Sequence, residues 1–195
     1  MYNIFCVGDS VTFGIGGSDK KTIGWCDQLK IESQHRVWNL GISGDTSQGI
    51  LKRKNEAIIR TKPSRKNVFI VAFGLNDLAF DGEKFAVNPN HYKENILEIC
   101  NFYKQYGQVI ILESTLFSSS LESVKDSYGN CRKLSDLIIY NQLLEEISNK
   151  NNLHLIKFSD FEPEFIGEDG LHPNQLGYNY MLEVITKTYR NKLNP

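Results

Sequence analysis

Short runs of β-branched and aliphatic residues recur along this chain, each followed by a loop and then by a longer segment of helical period. Residues 2–7, 36–40, 67–73, 108–114 and 153–158 read as strands. Two of them, through Val68-Phe69-Ile70-Val71-Ala72-Phe73 and Val109-Ile110-Ile111-Leu112, are continuously apolar rather than alternating. Strands of that kind are buried on both faces, as in a parallel sheet covered by helices on each side. Segments 22–34, 46–61, 89–106, 133–149 and 173–193 read as helices. In the fourth, Leu134, Leu137, Ile138, Asn141, Leu144 and Ile147 recur at three- and four-residue spacing and mark one face. Pro173 suits the first position of the last helix, and Gly107 stands where a C-terminal glycine would close the third. Alternating strands and helices imply right-handed crossovers. The expected fold is an α/β, three-layer α/β/α sandwich with a five-stranded parallel sheet in a flavodoxin-like arrangement. No linker, repeat or shift of composition divides the chain, so residues 1–195 read as one domain.

In such sheets ligands sit at the carboxyl ends of the strands, so chemistry is expected in the loop that leaves each one. Gly8-Asp9-Ser10 comes after the first, Gly41-Ile42-Ser43-Gly44-Asp45-Thr46 after the second, and Gly74-Leu75-Asn76-Asp77 after the third. Asp169-Gly170-Leu171-His172-Pro173 comes after the fifth. A serine hydroxyl becomes a good nucleophile only when a base takes its proton and a third group orients that base. Ser10, His172 and Asp169 supply those three chemistries, with a turn through Gly170 bringing the carboxylate to the imidazole. His172 would stand at a helix N-terminus, which disfavours imidazolium, and Asp169 would offset that. A tetrahedral intermediate also needs donors where its negative charge develops. The backbone N–H groups of Ser10 and Gly44 and the side-chain amide of Asn76 form the candidate set.

Composition narrows the alternatives. Lys and Arg number 22 against 23 Asp and Glu, a net charge of −1, so nothing pulls the chain generally toward nucleic acid. The longest fully apolar run, Val68 to Phe73, is far short of the roughly 20 residues that cross a bilayer. The start, Met1-Tyr2-Asn3 running into Ile4-Phe5-Cys6-Val7, reads as carrying no secretory leader. Cys6, Cys26, Cys100 and Cys131 are scattered without a CxxC pair, which fits reduced thiols in a cytoplasmic protein. His35, His91 and His154 have no metal-ligand spacing. Gly14-Ile15-Gly16-Gly17-Ser18-Asp19-Lys20-Lys21-Thr22 suggests a phosphate loop but fails, because Lys20 occupies the place of the second glycine. Arg60, Lys62, Arg65 and Lys66 read as a solvated helix end and turn.

The four polar segments resemble the four blocks of the GDSL esterase/lipase family, or SGNH hydrolases, in the family's order. Gly8-Asp9-Ser10-Val11 matches the first block with Val for the usual Leu, and Gly74-Leu75-Asn76-Asp77 matches G-x-N-D. Asp169-Gly170-Leu171-His172-Pro173 matches D-x-x-H-P. Asn39-Leu40-Gly41-Ile42-Ser43-Gly44-Asp45-Thr46-Ser47 is especially similar to the bacterial multifunctional thioesterase/lysophospholipase branch. The resemblance implies Ser10 as nucleophile with Asp169 and His172 as partners, an oxyanion hole of Ser10, Gly44 and Asn76, and no metal or organic cofactor. Leu75, where some members have a second glycine, would narrow the loop beside Asn76.

The implied partner is a small-molecule acyl ester or thioester, with no nucleic acid and no stable membrane insertion. Small or medium acyl groups are expected, because 195 residues leave little room for a lipid tunnel. Lysophospholipids and acetylated carbohydrates are the alternatives on the same site. Loops 13–21, 78–88 and 116–132 would border that site, the last long and Ser-rich as a lid or a specificity loop is, and Phe13, Phe80 and Phe117 are placed either to line an acyl pocket or equally to pack their loops onto the core. A non-catalytic carbohydrate- or lipid-binding module is the reading from another class, and the intact set of Ser10, Asn76, Asp169 and His172 argues against it. A flavin or nucleotide binder lacks its phosphate-loop glycine.

Overall fold

The computed structural model describes residues 1–17, 21–62, 64–126 and 128–193. Residues 18–20 of the loop after Phe13 lie outside these, as does residue 127 of the long 116–132 loop. Five strands, β1 (Tyr2–Gly8), β2 (Arg36–Gly41), β3 (Lys66–Ala72), β4 (Gln108–Leu112) and β5 (His154–Ile156), form one sheet. Their order is β2-β1-β3-β4-β5 and every pairing is parallel, the flavodoxin-like order. The helices are α1 (Ser10–Phe13), α2 (Trp25–Glu32), α3 (Ser47–Lys52), α4 (Asn55–Ile58), α5 (Pro89–Lys104), α6 (Leu134–Asn151) and α7 (Gln175–Leu193). Right-handed crossovers and the reversal of strand order after β2 put α2 on one face and α3, α5 and α6 on the other. Accordingly α2 packs on α7, and α3, α5 and α6 pack in a row. No described helix is long and apolar enough to cross a membrane.

The continuously apolar strands are buried on both faces, as their composition requires: Val68, Phe69, Ile70 and Val71 are all buried, and so are Val109 through Leu112. Phe5 stacks on Phe69 at 5.1 Å between ring centroids, and Phe69 stacks on Tyr103 of α5 at 4.5 Å. That column joins β1, β3 and α5 through the middle of the core. Asn141, polar on the apolar face of α6, has a specific task. Its side chain accepts from Ser114 N–H at 3.1 Å and donates to Ser114 C=O at 3.1 Å. This pair of bonds to one residue holds the chain leaving β4, and β4 accordingly stops at Leu112.

Three expectations are corrected. The segment 46–61 is two short helices rather than one, because the chain leaves helical geometry at Arg53 (φ −105°, ψ 13°), whose guanidinium reaches back to the strand ends. Gly107 has no left-handed φ; it is glycine because a Cβ there would run into the Asn67 backbone carbonyl. Pro173 precedes the last helix instead of opening it: it pairs with Ile166 in an antiparallel bridge, and Asn174 caps α7 by accepting from Gly177 N–H at 3.1 Å. The bonds around that bridge come from Gly167 N–H to His172 C=O and Asn174 N–H to Phe165 C=O, so none is asked of the proline nitrogen.

Phe69 is fully buried in the central aromatic column. Phe69→Ala is expected to lower stability by about 3–5 kcal/mol, the usual cost of an aromatic cavity. Urea unfolding of the two proteins checks this, with the loss appearing in the midpoint and not in the slope.

Candidate active site

The sheet register brings the polar loops to one level. Gly8 of β1 is paired with Gly41 of β2 on one side and Ala72 of β3 on the other. Close packing explains the first two residues of this row: a Cβ on Gly8 would collide with Thr12 and the Ala72 carbonyl, and one on Gly41 would collide with the Phe13 backbone. Asp9 then caps α1, its Oδ1 accepting from Val11 N–H at 2.9 Å. Ser10 is thereby the first residue of a helix turn just beyond the end of β1, and it is buried.

The turn after β5 brings the other two chemistries to it. Gly170 takes a left-handed φ of +73°, and Asp169 Oδ1 accepts from both Leu171 N–H and His172 N–H at 3.0 Å. Asp169 Oδ2 lies 2.5 Å from His172 Nδ1, and His172 Nε2 lies 2.8 Å from Ser10 Oγ. Burial alone would raise the Asp169 pKa, but the bonds from the His172 ring and from two backbone N–H groups outweigh it and hold the carboxyl at about 2. An ionised carboxylate accepting at Nδ1 keeps the proton on that nitrogen, leaving Nε2 free to accept from the serine. His172 stands two residues before the cap of α7 rather than in its first turn, where a helix dipole acts.

Gly44 and Asn76 complete the row. The turn after β2 is closed by Asp45 N–H to Ile42 C=O at 3.1 Å, and Gly44 takes a left-handed φ of +78° within it. Nothing lies within 4 Å of where a Gly44 Cβ would be, so conformation and not space explains this glycine. Asn76 Nδ2 donates to Asp45 C=O at 2.9 Å, a bond that fixes the amide and leaves its second N–H available. Asp77, fully buried, accepts Ser47 N–H at 2.9 and 3.1 Å and so ties the loop after β3 to the start of α3.

Ser10, Gly44, Asn76, Asp169 and His172 all line one cavity of about 770 Å³. Phe13, Phe80 and Phe117 do not: Phe13 is largely exposed, and Phe117 is buried elsewhere in the core. The apolar wall is instead Ala79, Leu121, Val124 and Leu171, with Tyr128 at the rim. The 116–132 loop is therefore a wall of the cavity, and it is anchored. Buried Arg132 donates to Leu75 C=O at 2.9 Å and pairs with Asp126 at 2.6 Å, and Phe80 and Cys131 form an antiparallel bridge. Burial works against the Asp126 carboxylate, but Arg132 and the N–H groups of Asn130 and Tyr128 hold its pKa low. Sequence reading missed Arg132 because nothing in a lone arginine tells which carbonyl it will reach.

Five parallel strands in this order, with these loops gathered at their carboxyl edge, make the SGNH hydrolase fold. The chain belongs to the GDSL-like lipase/acylhydrolase family, whose model matches residues 6–180, and is by family a carboxylic ester hydrolase. It is 26% identical over 192 residues to the isoamyl acetate-hydrolyzing esterase of Schizosaccharomyces pombe, covering 93% of this chain and 72% of that protein. Among solved structures it resembles a lipolytic protein of the G-D-S-L family from Veillonella parvula (20% identity, TM-score 0.75, 97% of this chain and 98% of that one). It also resembles Est24, a carbohydrate acetylesterase from Sinorhizobium meliloti (13% identity, TM-score 0.79, 98% and 99%). These two likenesses speak to the fold, and no single branch of the family is singled out.

Two buried carboxyls beneath the site give it a pH signature. Burial raises Asp9 to about 6 and Asp77 to about 7, each against bonds from backbone N–H groups that favour the charged form. Their folded pKa values lie above the ordinary value of 3.8. Their contribution to stability is therefore complete below about pH 4 and is lost as pH rises through about 6 and 7. Asp77→Asn is expected to flatten the fall in stability between pH 5 and pH 8, as read from urea midpoints at the two values.

Proposed function

We propose that the chain is a serine esterase acting on small to medium acyl esters or thioesters, with Ser10 as nucleophile. The observation that carries this is the hydrogen-bonded row Asp169–His172–Ser10, at 2.5 and 2.8 Å, opening into a cavity that also presents Gly44 and Asn76. Residues 1–195 are read as one such domain.

Ser10 Oγ attacks the carbonyl carbon as His172 Nε2 takes its proton, and Asp169 stabilises the resulting imidazolium. The carbonyl oxygen becomes an oxyanion held by Ser10 N–H, Gly44 N–H and Asn76 Nδ2. Collapse breaks the bond to the leaving alcohol or thiol, which receives the proton from His172 and leaves an acyl-Ser10 ester. Water then attacks that ester with His172 again as base, releasing the acid and restoring the serine.

Short acyl groups are favoured by the anchored wall of Leu121 and Val124, and by the acetate ester in the name of the Schizosaccharomyces pombe relative.

Hydrolysis of p-nitrophenyl acetate tests this with four purified variants. Ser10→Ala, His172→Ala and the double variant should lose nearly the same activity, because the two residues act as one unit. Multiplicative losses would mean that they serve separate mechanisms. Asn76→Ala should keep the acyl-enzyme chemistry but lower kcat by about a hundredfold or more, as removal of an oxyanion donor does. A variant with unchanged kcat would remove Asn76 from the oxyanion hole.

A further inference from the structure

Arg53 does not line the cavity, yet its guanidinium reaches directly the loops that carry Ser10 and Gly44 and, through Asp45, the loop that carries Asn76. Its Nη2 donates to Gly8 C=O at 3.0 Å, at the end of β1 and two residues before Ser10. Its Nη1 donates to Leu40 C=O at 2.9 Å, near the end of β2 and four residues before Gly44. Its Nε donates to Asp45 Oδ2 at 2.6 Å. Gly8 C=O also accepts Ile42 N–H at 3.0 Å, so the first two loops are joined to each other at the atom Arg53 holds.

The third loop is reached through Asp45. The Asp45 carboxylate takes Arg53 Nε on one oxygen and Thr46 N–H at 3.0 Å on the other. Thr46 N–H and Asp45 C=O belong to one peptide plane, and that carbonyl is the acceptor for Asn76 Nδ2. Rotation of this plane would therefore turn the amide of Asn76. Two further features fit this clamp. A Cβ on Gly49 would land on Asp45 Oδ1, so glycine there leaves the carboxylate the place it occupies between Arg53 and Thr46 N–H. The chain also breaks its helix at Arg53, between α3 and α4, while the side chain makes these bonds.

We propose that Arg53 is a positioning residue for the oxyanion hole, one planar cation setting the relative placement of the Ser10, Gly44 and Asn76 donors. The inference rests on the serine-esterase reading of the site. A guanidinium suits the task because its fork presents donors in fixed directions, as an ammonium does not. Displacement of donors by about 1 Å is enough to cost about a hundredfold in rate, so a residue outside the cavity can act through them.

The test compares wild type, Arg53→Gln, Asp45→Asn and Ser10→Ala, reading kcat and KM for p-nitrophenyl acetate and the inhibition constant of phenylboronic acid. The boronate forms a tetrahedral adduct on a reactive serine and needs the same donors as the intermediate. Arg53→Gln is expected to lower kcat by about tenfold to a hundredfold and to weaken the boronate by a similar factor, with KM within about twofold. Asp45→Asn, which keeps the size and one acceptor, should show the same pattern more weakly, and it carries the test if Arg53→Gln does not fold. Unchanged kcat and boronate affinity would overturn the proposal. So would losses that only track the fraction of folded protein, since those mark a staple of the fold. Wild-type rates in Ser10→Ala would overturn the serine reading itself, whereas a Ser10-dependent enzyme indifferent to Arg53 would sink this inference alone.

Discussion

The parallel pairing of β1 with both β2 and β3 is the constraint on which the site depends. It sets Gly41, Gly8 and Ala72 side by side at one level, so three loops leave the sheet together. Residues far apart in sequence then have little choice about where they begin. Small residues are needed in that row because the loops fold straight back over it, Thr12 against Gly8 and Phe13 against Gly41. The turn carrying Asp169 and His172 arrives from the far edge and is fixed by one bond of its own and one from the 116–132 loop. Gly167 N–H donates to His172 C=O and Ser118 N–H to Gly170 C=O, both at 2.7 Å. Ser10 and His172, 162 residues apart, meet at hydrogen-bond distance through two locally bonded turns.

Charge placement around the site has one pattern. The Asp169 carboxylate, partly exposed and supplied with three donors, is held ionised. Asp9 and Asp77 lie deeper, and burial raises both despite their backbone partners. The deeper pair serves the backbone: one caps the helix that carries Ser10, and the other joins the Asn76 loop to α3. Buried carboxyls of this kind hold geometry at a cost in stability, as expected for groups retained beneath a site. Arg53 and Arg132 perform comparable tasks on the two sides of the Asn76 loop, each donating to main-chain carbonyls while paired with an aspartate.

Much of this was legible in the sequence, and the reason is local. Continuously apolar runs announce a doubly covered parallel sheet, and glycine-bearing polar loops after the strands announce where a ligand would lie. What escaped the sequence depends on long-range packing. The helix pattern over 46–61 gives no sign that Arg53 will be drawn back to the ends of β1 and β2, which is where the helix breaks. Pro173 satisfies the local rule for a helix start as well as it satisfies a bridge to Ile166, and only the tertiary partner decides between them. The sequence leaves the phenylalanines of the bordering loops undecided between acyl pocket and core for a related reason. Apolar loop residues serve core and pocket equally well by composition, and here Leu121 and Val124 of the anchored 116–132 loop take the pocket.

Covalent chemistry on Ser10 is the claim on which the proposed mechanism stands. The most direct measurement is to treat the native protein with a fluorophosphonate and map the adduct by peptide mass spectrometry. One stoichiometric adduct is predicted on the peptide bearing Ser10, none in Ser10→Ala, and much slower labelling in His172→Ala. An intact, folded protein that takes no label, or takes it at another serine, would contradict that assignment.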